Sequence, residues 1–167
     1  MTALQIIDIG PTLNRMLKGD MFDHFLLKEA SISAAFTTTI DGVISDSFFS
    51  AEEKEKLELL GLSYIPFSFV RPICLDLMKG SRKPTAFRFQ FLLSPQSQAK
   101  TVKQSGSSFQ PTDISGLFLT LTYKNDTLVC TTGISYKVFS ADKSLENEWD
   151  RLAAVFFKQN GIAVSKL

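Results

Sequence analysis

The stretch LMKGSRKPTAFRFQF, Leu77 to Phe91, decides how this chain is read. It joins a Lys-Gly pair and a basic cluster to aromatics at every second position. Phe87, Phe89 and Phe91 alternate with Arg88 and Gln90. A period of two puts the three rings on one face of a strand and Arg88 on the other. Three rings on one face are the mark of a strand against a core. Lys79-Gly80 before them fits a helix ending, with Lys near the negative helix end and Gly in the turn that follows.

Working outward from there, the second half begins with an apolar stretch, Leu62 to Val70. Pro72 is expected to open a helix through Met78. A Ser/Gln-rich segment follows the strand and holds a short helix, Gln96 to Gln104. Gly116 to Tyr123 and Thr127 to Ser135 read as a hairpin around Lys124-Asn125-Asp126. Ser144 to Asn160 reads as an amphipathic helix with Leu145, Trp149, Leu152, Ala153, Phe156 and Phe157 on one side.

The first half has a similar grammar. Ala3 to Ile9 reads as a strand, and Gly10-Pro11 opens a helix with Leu13, Met16 and Leu17 on one side. Gly19 stands where a left-handed residue would end it. The stretch LLKEASISAAFTTTI reads as one long strand, and Asp41-Gly42 as a two-residue hairpin turn. Ser50 and Glu53 form a capping box ahead of EEKEKLELL.

The two halves can be laid on each other. GPTLNRMLKGD at Gly10 aligns with RPICLDLMKGS at Arg71, so that Lys18-Gly19 meets Lys79-Gly80. Phe49-Ser50-Ala51-Glu52 aligns with Phe139-Ser140-Ala141-Asp142 in the same order. The expectation is one α+β domain over 1–167 with a mainly antiparallel sheet, packed helices and an internal pseudo-two-fold duplication of a strand-helix-strands-helix unit. The halves would be 1–62 and 63–167, with an insertion near 94–115. A clamp-like duplicated βαβββ unit is one such arrangement, by fold analogy.

Composition bounds the function. The chain has 167 residues, 44% of them hydrophobic, with 15 Phe and a net charge of +1. That excludes a disordered protein and disfavours a dedicated nucleic-acid binder. Charge is uneven: 71–103 holds seven basic residues against one acid, and 41–58 holds six acids against two lysines. Two cysteines, Cys74 and Cys130, cannot form a multi-bridge scaffold and point to a reducing cytoplasm. MTALQIIDIG has neither the basic start nor the apolar run of a signal peptide, and no membrane span is expected.

The chemistry-bearing residues are few. His24 is the only histidine, and no catalytic signature surrounds either cysteine, so a Cys/His-dependent enzyme is a remote alternative. One His and two distant Cys do not make a zinc site, and no cofactor or metal is expected. No phosphate-binding loop, dinucleotide fingerprint or hydrolase elbow is present. Arg71, Arg82, Lys83 and Arg88 are the candidate anion-binding residues, and Trp149 is a candidate interaction anchor. The leading expectation is a non-enzymatic binding or protein-interaction module, working with a protein partner or as a homodimer. Nucleic-acid or anion binding by 71–103 is the alternative.

The segments FDHFLLKEASI, TIDG, MKGSRKPTAFRF, GLFLTLTY, CTTG and DKSLENEWD follow one another along nearly the whole chain. Together they resemble an uncharacterised family of short bacterial proteins classed as a domain of unknown function. The family pattern carries a basic residue after the IDG turn, where this chain has Val43. The resemblance implies a single intracellular domain and supplies no catalytic, cofactor or binding residue.

Overall fold

A computed structural model describes residues 1–167. The chain is α+β, with five helices and an eight-stranded antiparallel sheet. In order these are β1 (Ala3–Ile6), α1 (Ile9–Leu17), β2 (Phe25–Ser33), β3 (Thr37–Asp41), α2 (Ala51–Lys56), β4 (Ile65–Pro66) and α3 (Phe67–Met78). Then come β5 (Ala86–Leu93), α4 (Pro95–Gln104), a short 3₁₀ turn, β6 (Ile114–Lys124), β7 (Thr127–Tyr136), α5 (Ser144–Gln159) and β8 (Val164–Lys166).

The strand order is β3-β2-β5-β6-β7-β1-β8, with β4 paired beside β2. Two long-range pairings join the ends of the chain into one sheet: β2 lies against β5, and β1 against β7. Phe87, Phe89 and Phe91 sit at the centre, 3%, 0% and 0% exposed. Across β6 they face Tyr123, Leu121 and Leu119, and across β2 they face Ile32, Ala30 and Leu27. Phe67 of α3 packs edge-on against Phe91, with ring centroids 5.0 Å apart. Each such ring, fully removed from water, contributes roughly 1.5–3 kcal/mol.

Met16 and Leu17 from α1, Phe67 and Cys74 from α3, Val102 from α4, and Leu145, Trp149, Ala153 and Phe157 from α5 join one core cluster with these strands. The other sheet face carries Arg88, Gln90, Thr120, Thr122, Val129 and Thr131, all exposed or half-exposed. The two faces therefore follow the period-two pattern read from FRFQF.

The hairpin between β6 and β7 turns at Asn125 and Asp126, with φ of 51° and 57°, as a type I′ turn requires. The Ser50–Glu53 capping box forms in both directions, at 3.1 and 3.3 Å.

Four expectations are corrected. The stretch after Phe25 is a hairpin, not one strand: β2 and β3 pair with Ser33 opposite Thr37. Asp41-Gly42 therefore ends β3 and is not the hairpin turn. Gly42 is required by contact, since a Cβ there would lie 1.8 Å from the Leu27 carbonyl oxygen. Helix α3 starts at Phe67, so Pro72 lies inside it and does not open it. Gly19 has no positive φ, whereas Gly80 has one, at 141°. A Cβ at Gly19 would lie 2.7 Å from the Arg15 carbonyl oxygen, and closeness explains that glycine instead.

The internal duplication is not shown. Ser50 caps α2, whereas α5 begins at Ser144 and its capping position is Lys143. Pro11 is in the first turn of α1, whereas its aligned partner Pro72 is in the middle of α3. The matched motifs thus do different local work.

Candidate functional site

The candidate anion residues do not converge. Arg71, on α3, donates Nε and Nη2 to the Asp23 carboxylate at 2.9 and 3.0 Å. That bidentate, partly buried pair ties α3 to the connection before β2 and occupies the guanidinium. Arg88 lies on the opposite sheet face from α3, exposed. Arg82 is exposed in the loop between α3 and β5. Lys83, two residues before Thr85 in the same loop, has its Nζ 3.9 Å from Asp126 Oδ1. Trp149 is 4% exposed, and its indole N–H donates to the Phe118 carbonyl at 3.0 Å. It is a core residue that pins α5 to β6, not an exposed anchor.

The thiols and the imidazole are also separated in kind. Cys74 and Cys130 are buried and unpaired. Burial pushes the Cys74 thiol up to about 11 and the Cys130 thiol up to about 12. A nucleophilic thiol needs the opposite shift. His24 is exposed before β2. These positions give no support to the Cys/His-dependent enzyme. No group of three or more His, Cys, Asp or Glu side chains is placed to hold a metal. No helix is long and apolar enough to cross a membrane.

What the structure does assemble is a groove of about 780 Å³ between α1, the end of α3 and the β6–β7 turn. Its walls include Leu13 and Leu17 from α1, Leu75 and Met78 from α3, and Phe87 from β5. Leu13, Leu75 and Met78 pack on the core with one side and remain half-buried. The rim carries Lys18, Lys79 and Lys83, with Asp126 as the single acid of the lining. Lys79 pairs with Asp76 at 2.8 Å on the outer side. Asp126 accepts from the Tyr123 hydroxyl at 2.9 Å, and that bond raises the Tyr123 phenol above its ordinary range.

The local sequence explains these placements. Lys18 and Lys79 each follow the last residue of a helix, where a cation suits the helix dipole. Helices α1 and α3 touch, and both end at the groove. Lys18 and Lys79, of the two Lys-Gly pairs singled out by the alignment, are both among the residues that line this groove. Of the four candidate anion residues, only Lys83 is in this lining.

A family model matches residues 15–165: DUF5721, a family of unknown function. The chain belongs to DUF5721. The resemblance carried by FDHFLLKEASI through DKSLENEWD is borne out to that extent. No curated protein and no solved structure matches the chain. Family membership therefore adds no site to the DUF5721 protein's groove.

Proposed function

We propose that this DUF5721 protein is a non-enzymatic binding module that takes a small ligand with an apolar body into the α1–α3 groove. One observation carries the reading: a cavity of about 780 Å³ with mostly apolar walls and a few charged groups at its rim. Ligand sites commonly span roughly 300–1,000 Å³ and combine apolar walls with few, placed polar groups.

The rival readings draw less support. Nucleic-acid binding by 71–103 would need stacking aromatics, but Phe87, Phe89 and Phe91 are buried. A protein partner or a homodimer would draw on exposed Phe36, Phe48 and Phe139, which lie on three separate connections. The two unpaired, buried cysteines support a cytoplasmic setting.

Titration with the neutral fluorescent probe N-phenyl-1-naphthylamine tests the groove. The expected result is saturable binding of one probe per chain. Gly10 lines the groove, and a Cβ built on it meets nothing within 4 Å. Gly10→Trp should therefore fold and block the probe. Absence of saturable binding, or equal binding by Gly10→Trp, refutes the proposal.

A further inference from the structure

Strand β3 pairs only with β2, so one side of Thr37–Asp41 has no neighbour in the sheet. The bonds at its two ends fix which residues face outward. The Ala34 amide donates to the Phe36 carbonyl at 3.0 Å, and the Gly42 amide donates to the Lys28 carbonyl at 2.9 Å. Residues alternate in an antiparallel pair, so Phe36, Thr38, Ile40 and Gly42 direct their backbone groups to β2. Thr37, Thr39 and Asp41 direct theirs outward, and all three are exposed. The other short strands at the sheet margin are blunted: β4 has two residues, one of them Pro66, and β8 has three, among them Lys166. From Thr37 to Ile40 there is no lysine, arginine, proline or glycine.

We infer that this edge pairs antiparallel with the β3 edge of a second copy of the chain, about a two-fold axis at Thr38, and joins two sheets into one. The pairing leaves the α1–α3 groove open and is no rival to it: no residue lining the groove lies on β2 or β3. The inference does not rest on the groove.

The side chains select the register. Phe36 is 77% exposed, whereas Ile40 packs on the core and is half-buried. A period of two puts both on one face. With the axis at Thr38, Thr37 and Thr39 of one copy exchange backbone bonds with Thr39 and Thr37 of the other. Phe36 then stands opposite Ile40 of the other copy, in the type of pair that brings side chains closest. The contact occurs twice, once on each side of the axis. An axis at Thr39 satisfies the same backbone groups but sets Phe36 opposite Gly42.

The charges select a second copy over a foreign strand. The acidic segment, with six acids against two lysines over 41–58, leaves β3 at its Asp41 end. The other end of the β2–β3 hairpin is basic. There the Thr85 amide donates to the Ser33 carbonyl at 2.8 Å, directly after Arg82 and Lys83. Arg88 lies opposite Ser31, and Lys124 opposite Ala86, the neighbour of Ser33. Asp126 is the acid at this end. Antiparallel pairing sets the acidic end of each copy beside the basic end of the other, which steers and orients the encounter. A contact built on a five-residue strand is small and belongs to the weak, transient class.

Sedimentation velocity of the full chain from about 5 to 200 µM tests the pairing. The expected result is a monomer–dimer equilibrium with no larger species. Its dissociation constant should rise at least about threefold between about 50 and 500 mM NaCl. Thr39→Pro removes only an outward N–H, and Phe36→Ser changes a side chain already in water. Each should weaken the dimer about tenfold or more and leave Trp149 emission unchanged. Thr38→Cys should link to itself on a non-reducing gel after mild oxidation with copper phenanthroline, because directly opposed Cα atoms in such a pair lie about 4.5 Å apart, within disulfide reach. Thr39→Cys, diagonal to itself at roughly 7–8 Å, should not. A monomer at every concentration, species that grow beyond the dimer, or a dimer that both edge variants leave intact overturns the inference. Preferential linking of Thr39→Cys overturns the register that pairs Phe36 with Ile40, and a dimer indifferent to salt overturns the charge pairing.

Discussion

Replacing Gly42 with alanine should cost this protein about 3 kcal/mol, and the number comes from contacts. A Cβ at this position would lie 1.8 Å from the Leu27 carbonyl oxygen and 2.7 Å from its carbon, where ordinary contact begins at 3.4 Å. The obstacle is backbone, so no side chain can swing aside. The segment must retreat by about 1.5 Å in a close-packed region. That retreat breaks two hydrogen bonds, from Gly42 N to the Lys28 carbonyl at 2.9 Å and from Ile65 N to the Gly42 carbonyl at 2.8 Å. Each is worth about 0.5–1.5 kcal/mol net. The Val43–Tyr64 bridge beyond them loosens as well, which brings the sum to about 3 kcal/mol. Urea denaturation followed by the fluorescence of the single tryptophan is the assay. With a slope near 2 kcal/mol/M, the midpoint should fall by about 1.5 M. Gly42→Asn should be equally damaging. Were Asp41-Gly42 a type I′ turn, asparagine would be nearly neutral, because it tolerates positive φ. A loss below about 0.5 kcal/mol for either substitution refutes the packing argument.

Trp149→Phe should cost about 1.5–3 kcal/mol, since it removes indole volume from the core and the bond to the Phe118 carbonyl; the wild-type emission should be blue-shifted and poorly quenched by acrylamide. A double-mutant cycle of Asp23→Asn and Arg71→Gln should yield a coupling of about 1 kcal/mol, and a coupling near zero would show the bidentate pair to be idle. Both buried thiols titrate above their ordinary value near 9, so the folded state favours the protonated form. Their contribution is fully present below the unfolded thiol pKa and is lost as pH rises toward 11–12; stability measured by urea should therefore decline above about pH 9, more steeply in wild type than in Cys74→Ser with Cys130→Ser. In native protein at pH 8, neither thiol should react with a disulfide reagent faster than the chain unfolds.

Local patterns were legible where local chemistry decides. The Phe87–Phe91 alternation, the Asn125-Asp126 turn, the Ser50–Glu53 box and helix α5 all depend on residues a few positions apart. The misreadings share a different cause. Gly42 looked like a turn residue because Asp-Gly is a turn signal, yet its reason is a β2 carbonyl some fifteen residues back in the chain. Pro72 looked like a helix start because proline is favoured there, but core contacts of Phe67 carry the helix back past it. The aligned Lys-Gly pairs share a helix ending, and both lysines line the one groove, which their spacing in the chain could not show. The groove itself was not legible, because its walls come from α1, α3, β5 and β6, and only the β2–β5 and β1–β7 pairings bring those together. Arg71 shows the same limit from the other side: its charge was visible in sequence, and its commitment to Asp23, 48 residues away, was not.

The most direct test of the groove is a titration with N-phenyl-1-naphthylamine followed by the methyl resonances of the four methionines. Met78 lines the groove, whereas Met16 and Met21 are buried in the core at 0% and 6% exposure. The account predicts that the Met78 signal shifts saturably while those of Met16 and Met21 stay in place. A Met78 signal that does not move, or shifts spread equally over Met16 and Met21, would contradict it.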